Sequence, residues 1–152
     1  PPPGPPRPAR AGKMKRPRFI SKFGWEGDGG IGEKLIQQIQ HGIKTATACP
    51  KLLYTAQELK ELHASVGKIV TVVDKRDQPR AQIKQLEIFE TPFGNPDLRL
   101  VKGEGCSEPG QWRRKHRHVW DDLFEKAGKT LDNDTILVVE LFMRWPPIAG
   151  HN

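Results

Sequence analysis

Two neighbouring β-strand patterns joined by a short turn limit the folds open to this chain. Residues Lys68–Asp74 (KIVTVVD) and Arg80–Glu90 have strand character, and Lys75–Pro79 between them reads as a turn. Strands joined so closely run antiparallel, because a parallel connection needs a crossover of a dozen or more residues. A purely parallel, doubly wound sheet is therefore excluded.

The other segments alternate irregularly between helix and strand patterns. A helix is predicted at 31–41, where Gly42 follows as a C-cap glycine, and a second from the capping box Thr55–Glu58 to about Ala64. A single helical turn is predicted at Leu98–Lys102, and a longer helix from Ser107 or Glu108 to Gly128. Strands are predicted at 44–48 and at Thr135–Trp145, the most apolar stretch. These patterns predict an α+β fold, a small mixed β-barrel with helices packed outside.

The charge of the chain is concentrated at its N-terminal end. Of 25 Lys and Arg residues, seven lie in residues 1–22, which hold no acid, so the remaining 18 face all 18 acids. We predict a disordered Pro/Arg/Lys-rich tail at 1–22, partly foreign to the natural protein, an ordered domain at 23–146 and a short tail at 147–152. No apolar run is long enough for a membrane span, no secretory signal is visible, and two cysteines favour a cytoplasmic location.

The segment Gly42–Thr47 (GIKTAT) is the first candidate for chemistry. A helix ends, a glycine reverses the chain, and a strand is predicted to begin at once with Lys44. A partly desolvated lysine amine can act as a base, and a threonine hydroxyl becomes a nucleophile only when such a base takes its proton. The alternative is an exposed lysine followed by two threonines, Thr45 and Thr47, that suit a strand.

Two further segments carry charged candidates. Glu104 stands between two glycines in KGEG, where it is either a general acid–base group that pairs with Lys44 or a solvated loop residue. Arg113, Arg114 and Arg117 share a helix face that either contacts phosphates or is simply solvated.

Three other patterns have ordinary explanations. The glycine-rich loop at 27–32 lacks the Walker A spacing, and Asp28 in it would repel a phosphate, so a flexible helix entry is favoured. His116 and His118 are two apart on a helix and diverge, which argues against a metal pair. Cys49 and Cys106 are either neighbours, if the two candidate segments meet, or separate small buried residues.

Taken in order, several motifs resemble the ASCH domain family of the PUA-like superfamily, in its small bacterial stand-alone type. They are FGWEGDGG (23–30), GIKTAT (42–47), VGKIVTVVD (66–74), KGEG (102–105), QWRRKH (111–116) and the closing strand ending in ELFMRW. The resemblance covers about Phe23–Trp145. It departs from the family pattern at Cys49, where an arginine is usual, and at Cys106, where an aspartate is usual.

The resemblance implies a small barrel with a cleft at Lys44 that engages RNA or a modified nucleoside. The favoured activity is that of a metal-independent amidohydrolase acting on N4-acylated cytidine. Lys44, Thr47 and Glu104 would be its catalytic residues, and no cofactor is expected. The alternatives are a single-strand ribonuclease and a non-catalytic RNA-binding module. No membrane partner is expected. The candidate substrate-binding residues are Trp25, Asp28, Thr45, Ser107, Arg113, Arg114 and Arg117.

Overall fold

One five-stranded mixed sheet organises the part of the chain, residues 18–149, that the computed structural model describes. The strands are β1 (Ile20–Lys22), β2 (Ala46–Pro50), β3 (Ile69–Val73), β4 (Pro79–Pro92) and β5 (Ile136–Arg144). The helices are α1 (Ile31–Gln40), α2 (Ala56–Ala64), α3 (Leu98–Gly103) and α4 (Pro109–Lys126), with a 3₁₀ turn at Lys51–Leu53. None of the helices described is long and apolar enough to cross a bilayer.

The strand order is β1-β3-β4-β5-β2, and among these described strands only the β1–β3 pair is parallel. β3 and β4 form the predicted antiparallel hairpin, and β5 lies between β4 and β2. The α+β class is therefore confirmed. Barrel closure is not found: within residues 18–149, β1 and β2 lie at opposite ends of the sheet and no ladder joins them.

Two predicted boundaries need correction. Residues 20–22 were assigned to the N-terminal tail but form β1, because their backbone pairs with residues 71–73 of β3. The described residues do not include 1–17 of that tail, nor 150–152 of the predicted C-terminal tail. β2 begins at Ala46 rather than at Lys44, because the Lys44 N–H donates to the Gln38 carbonyl at the end of α1 (3.1 Å).

The two faces of the sheet carry different helices. On one face, β2 and β5 pack against α3 and α4 through a cluster that includes Trp112, Trp120 and Phe93. On the other face, α1 covers one apolar cluster and α2 covers a second. Because side chains alternate along a strand, Leu137 and Val139 of β5 face α3 and α4, whereas Val138 and Phe142 face α1 and α2.

Local signals explain the ends of the helices next to the candidate site. α2 begins with the predicted capping box, in which Thr55 and Glu58 each bind the other's backbone N–H. α1 ends at Gln40 and is followed by Gly42, whose φ of 73° favours glycine and turns the chain back toward the sheet. A side chain there would also meet Ile148 at 2.9 Å. This reversal places Lys44 beneath the surface.

Candidate functional site

The Lys44 amine is buried at the junction of α1 and β2. Lys44 is 2% exposed. Its Nζ donates to the Ala46 carbonyl at 2.5 Å and to Oε1 of Glu104 at 2.7 Å. The structure therefore brings together two residues that are 60 positions apart in the chain.

Glu104 is positioned by the close approach of α3 to β2. It is the C-cap residue of α3, and the preceding Gly103 lies so near β2 that an added Cβ would be 2.5 Å from the Ala46 Cβ. The Thr45 N–H also donates to the Gly103 carbonyl at 2.9 Å. The first glycine of the KGEG motif is thus required by packing, and this packing holds the Glu104 carboxylate against Lys44.

The second oxygen of Glu104 accepts from two residues of α4. Trp112 donates through Nε1 at 2.7 Å, and Nε2 of His116 lies 3.0 Å away. The other ring nitrogen of His116, Nδ1, is 2.8 Å from the Trp112 carbonyl, and the two rings stack with centroids 4.1 Å apart. Lys44, Glu104, Trp112 and His116 are called the Lys44 cluster below.

Hydrogen-bond geometry sets the charges in the Lys44 cluster. Burial by itself raises the pKa of Glu104, but the charges of Lys44 and His116 outweigh burial and hold this pKa well below its usual range. The ionised carboxylate accepts hydrogen bonds and donates none. Both ring nitrogens of His116 lie within hydrogen-bond distance of an acceptor, Glu104 on one side and the Trp112 carbonyl on the other. The Lys44 cluster is thus held together by one buried ion pair and by contacts to both oxygens of Glu104.

Thr47 lies on the opposite face of the sheet from the Lys44 cluster. Ala46 and Ala48 pack against α3 and α4, so Thr47 between them faces α1 and α2. It is 3% exposed, and its hydroxyl has no hydrogen-bond partner among residues 18–149. Directly across the ladder is Glu140, which is 2% exposed. The predicted catalytic trio is thus divided between the two faces.

Comparison with known proteins assigns the fold to a family. The family model described as the ASCH domain matches residues 22–144. The chain belongs to the ASCH domain family. This family is PUA-like and is associated with RNA binding. No curated protein matches significantly.

Two solved structures share the fold of this ASCH domain. The ASCH domain from Lactobacillus crispatus JV V101 has 19% sequence identity and a TM-score of 0.67, over 84% of this chain and 80% of that one. Protein EF3133 from Enterococcus faecalis V583, of family DUF984, has 21% identity and a TM-score of 0.69, over 92% of this chain and 87% of that one.

The arginines predicted to contact a substrate lie on the outer side of α4 in this ASCH domain. Arg113 donates to the Gly94 carbonyl at 3.2 Å, and the Arg117 guanidinium lies 5.0 Å from the ring centre of Phe93. Arg114 and Arg117 each have one long ion pair of 3.8 Å with an exposed acid. These contacts leave guanidinium donors available, so the outer side of α4 remains an accessible basic face.

Of the other candidate binding residues of the ASCH domain, Thr45 adjoins the Lys44 cluster, since its N–H donates to the Gly103 carbonyl. Thr45 is exposed, and the Ser107 hydroxyl donates to Gln111 at 3.2 Å. Trp25 is half-buried in the loop before α1. In that loop the carboxylate of Asp28 accepts three backbone N–H groups, from residues 25, 30 and 32, at 2.9–3.2 Å. Asp28 therefore organises the loop.

A cleft of about 290 Å³ adjoins this loop. Besides residues of the loop it is lined by Asp74, Arg76 and Arg80, and its lining includes none of the predicted catalytic residues. Arg80 is bound there to Glu33 at 2.7 Å and to Asp74 at 3.2 Å. The acids and bases around this cleft neutralise one another.

The sequence interpretation missed three residues near the predicted catalytic groups. His116 is buried beside Trp112, which its spacing of four residues from Trp112 and from Trp120 would have indicated. Glu140 and Gln85 are buried in strands, and the apolar patterns around them gave no signal.

Cys49 and Cys106 do not form a disulfide; they belong to clusters on opposite faces of the sheet. Residues 18–149 contain no group of three or more potential metal ligands.

Proposed function

We propose that this ASCH domain binds RNA or a modified nucleoside, with the Lys44 cluster at the binding site and the outer face of α4 contacting phosphates. The observation that carries the proposal is the buried Lys44–Glu104 pair, with side chains 1% and 4% exposed. A buried ion pair adds little stability over apolar residues of similar size, and such charged groups are frequent at functional sites. Family membership supports a nucleic-acid ligand.

The basic face of α4 supplies the electrostatic part of the proposal. The body of the protein is formally neutral, so attraction to a polyanion requires a local patch. Arg113, Arg114 and Arg117 form such a patch. Arginine fits phosphate well because its guanidinium donates two parallel hydrogen bonds.

Fluorescence anisotropy with a labelled single-stranded RNA tests this proposal. Each phosphate contact that is lost should reduce the slope of log K against log salt by about one. The double variant Arg114→Ala/Arg117→Ala should therefore lower the slope by about two, whereas Arg76→Ala, an exposed arginine in the β3–β4 turn, should leave it unchanged. Equal slopes for all three proteins would remove α4 from the interface. Removing residues 1–17 tests the contribution of the basic tail in the same assay.

Hydrolysis of an N4-acylated cytidine is the second candidate function, favoured by the buried Thr47 hydroxyl, which has no partner in the part of the chain that the structure describes. Thr47 Oγ1 would bond to the acyl carbon while Lys44 takes its proton. The C–N bond would then break as the proton taken up by Lys44 passes to the leaving nitrogen, with Glu104 holding the lysine amine, and water would hydrolyse the resulting ester. Lys44 donates to two oxygens as an ammonium, so it must first lose a proton to become the base. Its amine must also turn from Glu104 toward the sheet face that carries Thr47.

Incubation with N4-acetylcytidine separates binding from hydrolysis. Turnover that is lost in both Lys44→Ala and Thr47→Val, while circular dichroism shows both variants to be folded, would establish the hydrolase. Binding without turnover would leave the non-catalytic module. Cleavage of single-stranded RNA by the wild type, lost in Lys44→Ala, would instead identify a ribonuclease.

A further inference from the structure

The sheet continues beyond α3 and α4 on the face that carries the Lys44 cluster. The apolar cluster under these two helices reaches Leu141 of β5 and includes no residue of β1 or β3. Because side chains alternate along a strand, those of β1, β3 and the first half of β4 that point away from α1 lie beyond this cluster. The surface that they form with the end of β5 is called the open sheet face below; its main residues are Lys22, Ile69, Gln82, Lys84, Met143 and Trp145.

The open sheet face is accessible, and none of its six main residues is acidic. Gln82 is exposed, Ile69 is 36% exposed, and Lys84 and Trp145 are half-buried. Among residues 18–149, Lys84 forms no ion pair, and Lys22 forms one of 3.2 Å with an exposed aspartate of the β3–β4 turn. The ammonium of each lysine therefore has donors left for another oxygen. Two lysines without a carboxylate between them are complementary to a polyanion.

Trp145 is the aromatic group of the open sheet face. Trp112 and Trp120 are fully buried in the core, whereas Trp145 is half-buried and belongs to none of the three apolar clusters. Its backbone N–H donates to the Gln82 carbonyl at 2.9 Å, which fixes it to the sheet. Nζ of Lys84 lies 5.3 Å from the centre of its ring. An aromatic ring on a sheet beside a cation offers the stacking and the charge that an unpaired nucleotide requires.

We propose that the open sheet face binds single-stranded RNA, with one base stacked on Trp145 and the adjacent phosphates bound by Lys22 and Lys84. This inference rests on the proposed function and adds a second contact surface to the outer face of α4. The four-carbon stem of Lys84 is flexible, so its amine can move to a phosphate as the base takes its place over the ring. An RNA duplex would not bind in this way, because its bases are stacked on one another.

The open sheet face borders the Lys44 cluster. Leu141 pairs with Ala46, whose carbonyl accepts from Lys44. Trp145 follows four residues after Leu141, which at about 3.3 Å per residue places it about 13 Å further along the strand direction. RNA held at Trp145 would therefore have its neighbouring nucleotides next to the Lys44 cluster, so one bound strand would contact both surfaces.

Fluorescence anisotropy of the full-length protein with a labelled oligouridine measures this contribution. Trp145→Leu should weaken binding about tenfold, as expected for the loss of one stacked base, whereas Trp145→Phe, which keeps a ring, should bind within about threefold of the wild type. Lys84→Gln should lower the slope of log K against log salt by about one. Leu52→Ala and Lys60→Gln, at exposed residues of the 3₁₀ turn and of α2, are the matched controls and should bind as the wild type does.

The indole N–H resonance of Trp145 in the wild type tests the stacking without relying on a variant. Sequential assignment identifies this signal, and we expect it to shift as oligouridine is added and to stay in place with an RNA duplex. The inference is overturned if the resonance does not move at saturation, if the duplex moves it equally, or if Trp145→Leu is folded by circular dichroism and binds as the wild type does. A polyglutamate peptide that moves the resonance at lower concentration than RNA would also overturn it, because the surface would then suit an acidic protein.

The same measurements separate this inference from the proposed function. RNA binding that depends on Arg114 and Arg117 but not on Trp145 would overturn the inference and leave the proposed function intact. If the wild type binds no RNA at all, both are overturned.

Discussion

Nε2 of His116 lies 3.0 Å from Oε2 of Glu104, and the other ring nitrogen, Nδ1, lies 2.8 Å from the backbone carbonyl oxygen of Trp112. The histidine ring is therefore held between this carboxylate and this carbonyl. Both neighbours are acceptors. The ring also stacks on the Trp112 indole. His116 thus holds the second oxygen of Glu104, while Lys44 holds the first.

We predict that the contact between His116 and Glu104 stabilises the fold. His116→Phe keeps an aromatic ring on Trp112 but removes the donor, so the free energy of unfolding should fall by about 1–3 kcal/mol. His118→Phe, at the exposed neighbouring histidine, should change it little.

Removing Lys44 should destabilise the protein strongly. Lys44→Met leaves the buried Glu104 carboxylate without its ammonium partner, which we expect to cost about 3–5 kcal/mol. Glu104→Gln in the same chain should restore part of the loss, because the uncompensated charge is then gone. Urea unfolding of the wild type, both single variants and the double variant measures the coupling. Additive losses would contradict a direct interaction, and Lys102→Met, at an exposed lysine of α3, is the control.

Stability should depend on the protonation of Glu140. Its pKa is raised to about 7 in the folded protein from 4.5, so the folded state binds this proton more tightly. This contribution is complete below about pH 4.5, decreases as the pH rises, and is lost above about pH 7. It amounts to about 3 kcal/mol for a shift of this size.

Glu104 acts in the opposite sense, because its lowered pKa stabilises the fold above about pH 4.5 and this contribution is lost on acidification.

Comparison of the wild type with Glu140→Gln isolates the Glu140 contribution. The difference between their unfolding free energies should change between pH 4.5 and 7 and be constant above that range. Glu26→Gln, at an exposed glutamate, should give a difference that is independent of pH. A flat difference for Glu140→Gln as well would refute the raised pKa.

Substitution of Gly103 should disturb the Lys44 cluster indirectly. In Gly103→Ala the new methyl group would lie 2.5 Å from the Ala46 Cβ, so α3 must move away from β2. We expect a loss of about 1–3 kcal/mol, typical of overpacking, and a shift of the Trp112 indole N–H resonance as its bond to Glu104 changes. Ala46→Gly in the same chain should restore the resonance, whereas Lys102→Ala should not move it. An unchanged spectrum in Gly103→Ala would exclude this coupling.

Local sequence signals determined much of the fold. The capping box at Thr55, the reversal at Gly42 and the β3–β4 hairpin depend on residues close together in the chain, and the structure contains all three. The strand β1 was missed because three residues carry too little pattern, and its pairing with β3 decides it. Closure into a barrel was wrong for the described residues, since strand order is a property of the whole sheet.

The sequence by itself supplied Lys44, Thr47 and Glu104 as chemically capable groups and Arg113–Arg117 as a basic helix face. Only the tertiary structure decided that Lys44 and Glu104 meet, that His116 joins them, and that Thr47 faces Glu140 instead. The physical reason is that alternation along a strand assigns side chains to two faces, whereas packing between distant segments decides what covers each face. The close approach of Gly103 to Ala46 is such a contact, and nothing in either local segment specifies it.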